Sequence, residues 1–234
     1  MKGSNQDFIS FLKNPRFDFE DDLTTPLKKL LHFLAFDLKL FVLYAVIIGI
    51  LSFLSDDFKE ILQTKGFTNY SILELLLFYV LLAPLIEELA FRLGLKLSRT
   101  NAAISFGFQF IFILVYFEIW PEALSYRIFT IVFIISIFFI ALKSGRFLTI
   151  LDKHFNFFVY YNILFFGILH ATNYTFSNYH HYLYVPILII PQLFLGAYFS
   201  YARVRYNFGY SLLFHVLHNA ILISFTVTFF RGIN

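Results

Sequence analysis

Leu75-Leu76-Leu77-Phe78-Tyr79-Val80-Leu81-Leu82-Ala83-Pro84-Leu85-Ile86-Glu87-Glu88-Leu89-Ala90-Phe91-Arg92 is the stretch that decides the fold. With its flanks it forms an apolar run over 71–94, long enough to cross a bilayer as a helix, for which about 20 residues suffice. Near one end it carries two adjacent carboxylates and a guanidinium. Each such group costs roughly 2.5–3.5 kcal/mol at the centre of a lipid-facing helix. The three must therefore face protein or water, and the helix needs apolar neighbours that surround them.

Those neighbours are present in the same chain. Of its 234 residues 59% are hydrophobic and only 14% charged, too apolar a balance for the surface of a soluble domain of this size. Apolar runs recur at 36–54, 71–94, 101–119, 127–143, 157–174, 183–202 and 208–230, which predicts an all-α polytopic membrane helix bundle of about seven spans, with six to eight compatible. Residues 1–27 read as a polar cytoplasmic or interfacial tail with a small apolar patch at Phe8, Ile9, Phe11 and Leu12, and 28–234 as one transmembrane domain. Lys and Arg number twelve in the segments before spans one, three, five and seven and four on the opposite side, which places the N-terminus in the cytoplasm.

The chain has no cysteine, which excludes disulfides, thiolate metal sites and a cysteine nucleophile. Its net charge of +3 is scattered, and no basic stretch is interleaved with aromatics, so nucleic acid is not an expected partner. Membrane lipids are.

Within the second span Glu88 and Arg92 are four apart and can pair on one helical face, while Glu87 lies about 100° around the helix and is left available as a base. Pro84 deletes one backbone N–H and frees a carbonyl near residue 80, which predicts a wet cavity beside Glu87. The bland reading is an interhelical clamp, or an Arg92 that snorkels to the interface. The fifth span ends Phe166-Gly167-Ile168-Leu169-His170, with a glycine that permits close helix approach. The seventh places His215 and Asn219 four apart on one face, with His218 nearby. Each histidine alone reads equally as hydrogen-bonding glue between helices. Together the deep carboxyl, imidazole and amide groups on three spans have the layout of a site in a bundle core. His32, His154, His180 and His181 fall in tail or loops and carry no expected role; Asp37, Lys39 and Glu74 read as interfacial, and Gln192 as support for a helix kinked by Pro186 and Pro191.

The pattern resembles the type II CAAX prenyl endopeptidase, abortive-infection and bacteriocin-processing (CPBP) family of intramembrane proteases. Glu87-Glu88 with Arg92, Phe166 with His170, and His215 with Asn219 match its three motifs in order, over roughly residues 80–225. The 83 positions between Glu87 and His170 exceed the family's usual interval, so spans three and four, about 101–143, read as an inserted helical hairpin. The resemblance implies an endopeptidase that hydrolyses a peptide bond with activated water. Catalytic roles fall to Glu87, His170, His215 and Asn219, with Glu88 and Arg92 in support. Glu87 helped by His170 would deprotonate the water, and His215 with Asn219 would bind the oxyanion. No obligatory cofactor is expected; if Zn²⁺ is bound, its ligands are Glu87, His170 and His215. The expected substrate is a peptide or protein, prenylated or membrane-associated, and the expected location a bacterial cytoplasmic membrane. The competing readings are a catalytically silent scaffold or immunity protein and a proton- or cation-coupled transporter. Depth is a tension: these boundaries set Glu87 and His215 towards the cytoplasmic side and His170 towards the outer side.

Overall fold

The computed structural model describes residues 4–16, 25–62, 70–119 and 121–230. The acidic cluster Asp18, Glu20, Asp21 and Asp22 of the tail lies outside them. The described residues form helices and no strand, in the order α1 (Ser4–Lys13), α2 (Pro26–Leu54), α3 (Asp56–Leu62), α4 (Ile72–Glu74), a π-helical segment (Leu75–Leu82), α5 (Ala83–Phe91), α6 (Arg99–Tyr116), α7 (Leu124–Ala141), α8 (Arg146–Lys153), α9 (Phe155–Leu169), α10 (Val185–Arg205) and α11 (Phe208–Phe230). Short 3₁₀ turns at Leu93–Leu95, Leu142–Ser144, His170–Asn173 and Tyr179–Tyr184 join some of them.

Six of the helices are long and apolar enough to cross a membrane. A further continuous helical stretch is built from three pieces, since α4, the π segment and α5 follow one another without a break over 72–91, about 30 Å at ordinary helical rise. Pro84 explains the change of register. In the π segment each N–H reaches back five residues, as Ala83 N–H does to Phe78 O. The next donor would be residue 84, and proline has none. Proline therefore withholds this backbone donor from Tyr79 O.

Helix α5 ends within the bundle, where its terminal carbonyls need other donors. Ser105 Oγ and Gln109 Nε2 of α6 both donate to Ala90 O, and Gln109 Nε2 lies 2.9 Å from Asn162 Oδ1 of α9. Arg203 of α10 donates from Nε to Arg92 O at 3.0 Å and from Nη2 to Leu93 O at 3.2 Å. Each such carbonyl, left unpaired, would cost about 1–3 kcal/mol.

These contacts change the standing of the expected hairpin. Helix α6 is part of the central bundle, whereas α7 lies along its outer flank, with Gly107 of α6 facing Ile135. The close approach foreseen at Gly167 occurs against Leu193 of α10. The tail also differs from expectation. Helix α1 packs Phe8 and Phe11 into the core against Tyr201, and Arg16 bonds Asp152 at 2.8 Å, so the apolar patch seats this helix on the bundle.

Candidate active site

Three helices bring Glu87, His170 and His215 together. Glu87 Oε2 lies 3.4 Å from His215 Nε2 and 3.9 Å from His170 Nε2. The depth tension is resolved by a stagger of α9 along α5. Phe158, near the start of α9, packs at Gly94 beyond the end of α5, and Asn162 is joined through Gln109 to Ala90. Two further turns along α9, His170 comes level with Glu87.

The orientation of each ring follows from its other nitrogen. At His170 the helix tightens to a 3₁₀ turn, and its backbone N–H bonds Gly167 O and Ile168 O instead of Phe166 O. The imidazole takes the released carbonyl, with Nδ1 2.7 Å from Phe166 O. A carbonyl only accepts, so Nδ1 carries the proton and, in the neutral ring, Nε2 presents a lone pair to Glu87. His215 Nδ1 lies 2.9 Å from Glu88 Oε1, which assigns its proton in the same way. The ring also stacks on Phe199, with centroids 4.5 Å apart. Glu87 Oε2 is buried without a hydrogen-bond partner among the described residues. The site thus gathers three acceptor atoms that need a proton, a water or a cation between them.

Glu88 and Arg92 form the floor. Both are fully buried, with Arg92 Nε 3.7 Å from Glu88 Oε1. Ser211 Oγ of α11 lies against Glu88 Oε2, so His215, Ser211 and Arg92 converge on one carboxylate. The Arg92 guanidinium stacks 4.0 Å above the Phe166 ring and reaches Gly196 O at 3.4 Å. A Cβ on Gly196 would stand 2.9 Å from the Phe166 ring and 3.2 Å from Arg92 Nη2, so the bare backbone admits the cation. Complete burial rules out a snorkelling Arg92.

Asn219 has a structural task beside the expected one. Its Nδ2 donates to Tyr79 O at 2.8 Å, the carbonyl from which Pro84 withholds a backbone donor. One of its two N–H groups is therefore committed to holding the π segment against α11. Asn219→Ala is expected to lower stability by about 1–3 kcal/mol through the exposed carbonyl. Chemical denaturation in detergent would measure that loss, and an unchanged midpoint would refute this role.

A cavity of about 500 Å³ opens beside the cluster, with Glu87, His170, His215, His218, Asn219 and Gln192 in its wall. A second, of about 430 Å³, shares Glu87, Phe166, His170, Thr172 and Asn173 and is otherwise lined largely by apolar groups, among them Phe91, Phe112 and Val115. The pair Glu87 and His170 stands where the two meet. The water-accessible space expected near Pro84 is present, although the freed carbonyl itself bonds Asn219.

Several residues with a bland sequence reading have definite partners. Asp37, expected at the interface, is buried, and its Oδ1 lies 2.7 Å from His218 Nδ1. Gln192 faces the cavity with Oε1 buried and unpartnered among the described residues. His181, expected in a loop, is buried with neither ring nitrogen partnered among them. Arg203, Ser105 and Ser211 gave no signal in the sequence, because only the fold reveals which carbonyls and carboxylates lack donors.

The donors suit a metal in kind. Glu87 Oε2 and two Nε2 atoms, each imidazole braced through Nδ1 by a carbonyl or carboxylate, are what a zinc site uses. Among the described residues, however, no three such side chains stand close enough to hold an ion in their present positions. Comparison of the chain with protein-family models, curated proteins and solved structures finds no match.

Proposed function

We propose that this membrane protein is an intramembrane endopeptidase, similar to the CPBP family, that hydrolyses peptide bonds of membrane-associated substrates with a water activated at Glu87 and His170. The supporting observation is the convergence of Glu87 Oε2, His170 Nε2 and His215 Nε2 within a cavity, on helices up to 128 positions apart in sequence. Charged and polar groups are costly in a membrane and persist there when they serve a site.

In this reading a water sits between Glu87 Oε2 and His170 Nε2, whose separation of 3.9 Å is suited to a bridge. Glu87 takes a proton as the water oxygen bonds the scissile carbonyl carbon, and His170 accepts the water's other hydrogen bond. His215, in its doubly protonated form, donates from Nε2 to the oxyanion, while Glu88 fixes its ring. Asn219 holds the wall and has one N–H left for the same oxyanion. Arg92 keeps Glu88 in place.

No obligatory metal is part of this proposal. In a zinc-dependent variant Glu87, His170 and His215 would hold the ion, which would polarise the attacking water. A bacterial cytoplasmic membrane is the proposed setting, and the distribution of Lys and Arg supports an N-terminus on its inner side.

The test is cleavage of a quenched fluorescent peptide library, with and without a prenylated C-terminus, by detergent-purified protein. Wild type is expected to cleave, and Glu87→Ala and His170→Ala to fail while remaining folded. Retained cleavage in both variants would remove the assigned site, and repetition after chelation decides between the metal-free and zinc forms.

A further inference from the structure

The pair formed by Asp37 and His218 is not used by the mechanism above, yet His218 lines the same cavity as Glu87, His170 and His215. Asp37 lies in α2, among apolar residues, and retains only 4% of its exposure. A buried carboxylate in such a helix is costly unless it has a donor, and His218 Nδ1 at 2.7 Å supplies one. The contact joins residues 181 positions apart in sequence. It also fixes the ring: the carboxylate holds the Nδ1 proton, which leaves Nε2 as the ring nitrogen without a partner among the described residues. A buried carboxylate that orients an imidazole on the wall of a reaction cavity is the arrangement by which hydrolases position a proton-transfer group.

Peptide hydrolysis needs such a group. Glu87 removes a proton from water, but the amine leaves only after its nitrogen has gained one. In that mechanism His215 is committed through Nδ1 to Glu88 and through Nε2 to the oxyanion, and His170 through Nδ1 to Phe166 O and through Nε2 to the attacking water. His218, one turn along α11 from His215, is the remaining imidazole in the cavity wall. We propose that His218, oriented by Asp37, is the general acid that protonates the leaving amine; this rests on the hydrolytic reading of the site. The carbon–oxygen bond forms as Glu87 takes the water proton. The proton on Glu87 passes through cavity water to the Nε2 lone pair of His218, and the carbon–nitrogen bond then breaks with its electron pair on nitrogen, which receives that proton from Nε2, so one water is consumed and one acid and one amine are released.

The experiment compares two substrates with the same acyl portion. One is a peptide amide selected from the library, and the other its p-nitrophenyl ester, whose leaving group departs as an anion and needs no proton. Full-length protein in detergent is assayed as wild type, His218→Gln, Asp37→Asn and Glu87→Gln. Glutamine retains an N–H for Asp37, so the tie between α2 and α11 persists. His218→Gln is expected to slow the amide about 10²-fold or more and the ester by less than about threefold. Asp37→Asn should show the same selectivity with a smaller loss. Equal losses on both substrates would reduce His218 to a structural tie, and no loss on the amide would remove it from the reaction; either overturns the proposal. Glu87→Gln is expected to lose both substrates. If it keeps the amide, the hydrolytic reading itself falls, as it does, and this assignment with it, if wild type cleaves nothing in the library.

Discussion

Arg92→Met is expected to destabilise the protein by about 3–5 kcal/mol, the cost of leaving one member of a buried ion pair without its partner. Arg92 and Glu88 are fully buried side by side, and the guanidinium lies between the Phe166 ring and Gly196 O. Methionine keeps much of the volume but strips the cation from beside Glu88, whose remaining donors are Ser211 and His215. Activity should fall with the folded fraction, and further because Glu88 holds the ring of His215. The double variant Glu88→Met with Arg92→Met separates charge from packing. Removing both partners restores much of the stability, since an apolar pair of similar size is often no worse than a buried ion pair. Activity stays low, because Nδ1 of His215 has lost its acceptor. Denaturation monitored by circular dichroism measures all three proteins. A wild-type midpoint for the single variant would mean that Arg92 and Glu88 are not coupled.

Glu87→Gln separates function from stability in the opposite sense. The side chain keeps its shape, but it no longer takes a proton, so hydrolysis is expected to fall by at least about 10³-fold. Stability should hold or rise. In the wild type Glu87 Oε2 faces Nε2 of His170 and of His215 and has no hydrogen-bond partner among the described residues. The new amide supplies an N–H to that cluster. Loss of activity with a retained or raised melting temperature is the pattern of a group that is functionally required and structurally costly.

The membrane class and the helical bundle were legible in the sequence because lipid imposes one strong rule: about 20 apolar residues for each crossing, with every exception needing a reason. The exceptions Glu87, Glu88, Arg92, His170, His215 and Asn219 therefore stood out against their apolar neighbours. Less legible was what each would touch. Pro84 announced an open carbonyl, but the π register that makes it Tyr79 O depends on the whole segment 75–84, and its donor comes from α11. Asp37 looked interfacial because its position near the start of a span says nothing about which helix lies beside it. Ser105, Gln109 and Arg203 cap the end of α5 inside the bundle, a requirement that exists only once α5 is known to stop there. The two hairpin helices show the same limit. Alike in their reading as an insertion, they differ in place, α6 joining the core and α7 lying along its flank.

The most direct measurement is hydrolysis of the peptide selected from the library by wild type and Glu87→Gln, with the melting temperature of each taken from the same detergent sample. The account predicts cleavage by the wild type, at least about a 10³-fold loss in the variant, and a variant melting temperature no lower than that of the wild type. Cleavage by Glu87→Gln at the wild-type rate would contradict it, because no other carboxylate among the described residues faces both His170 and His215.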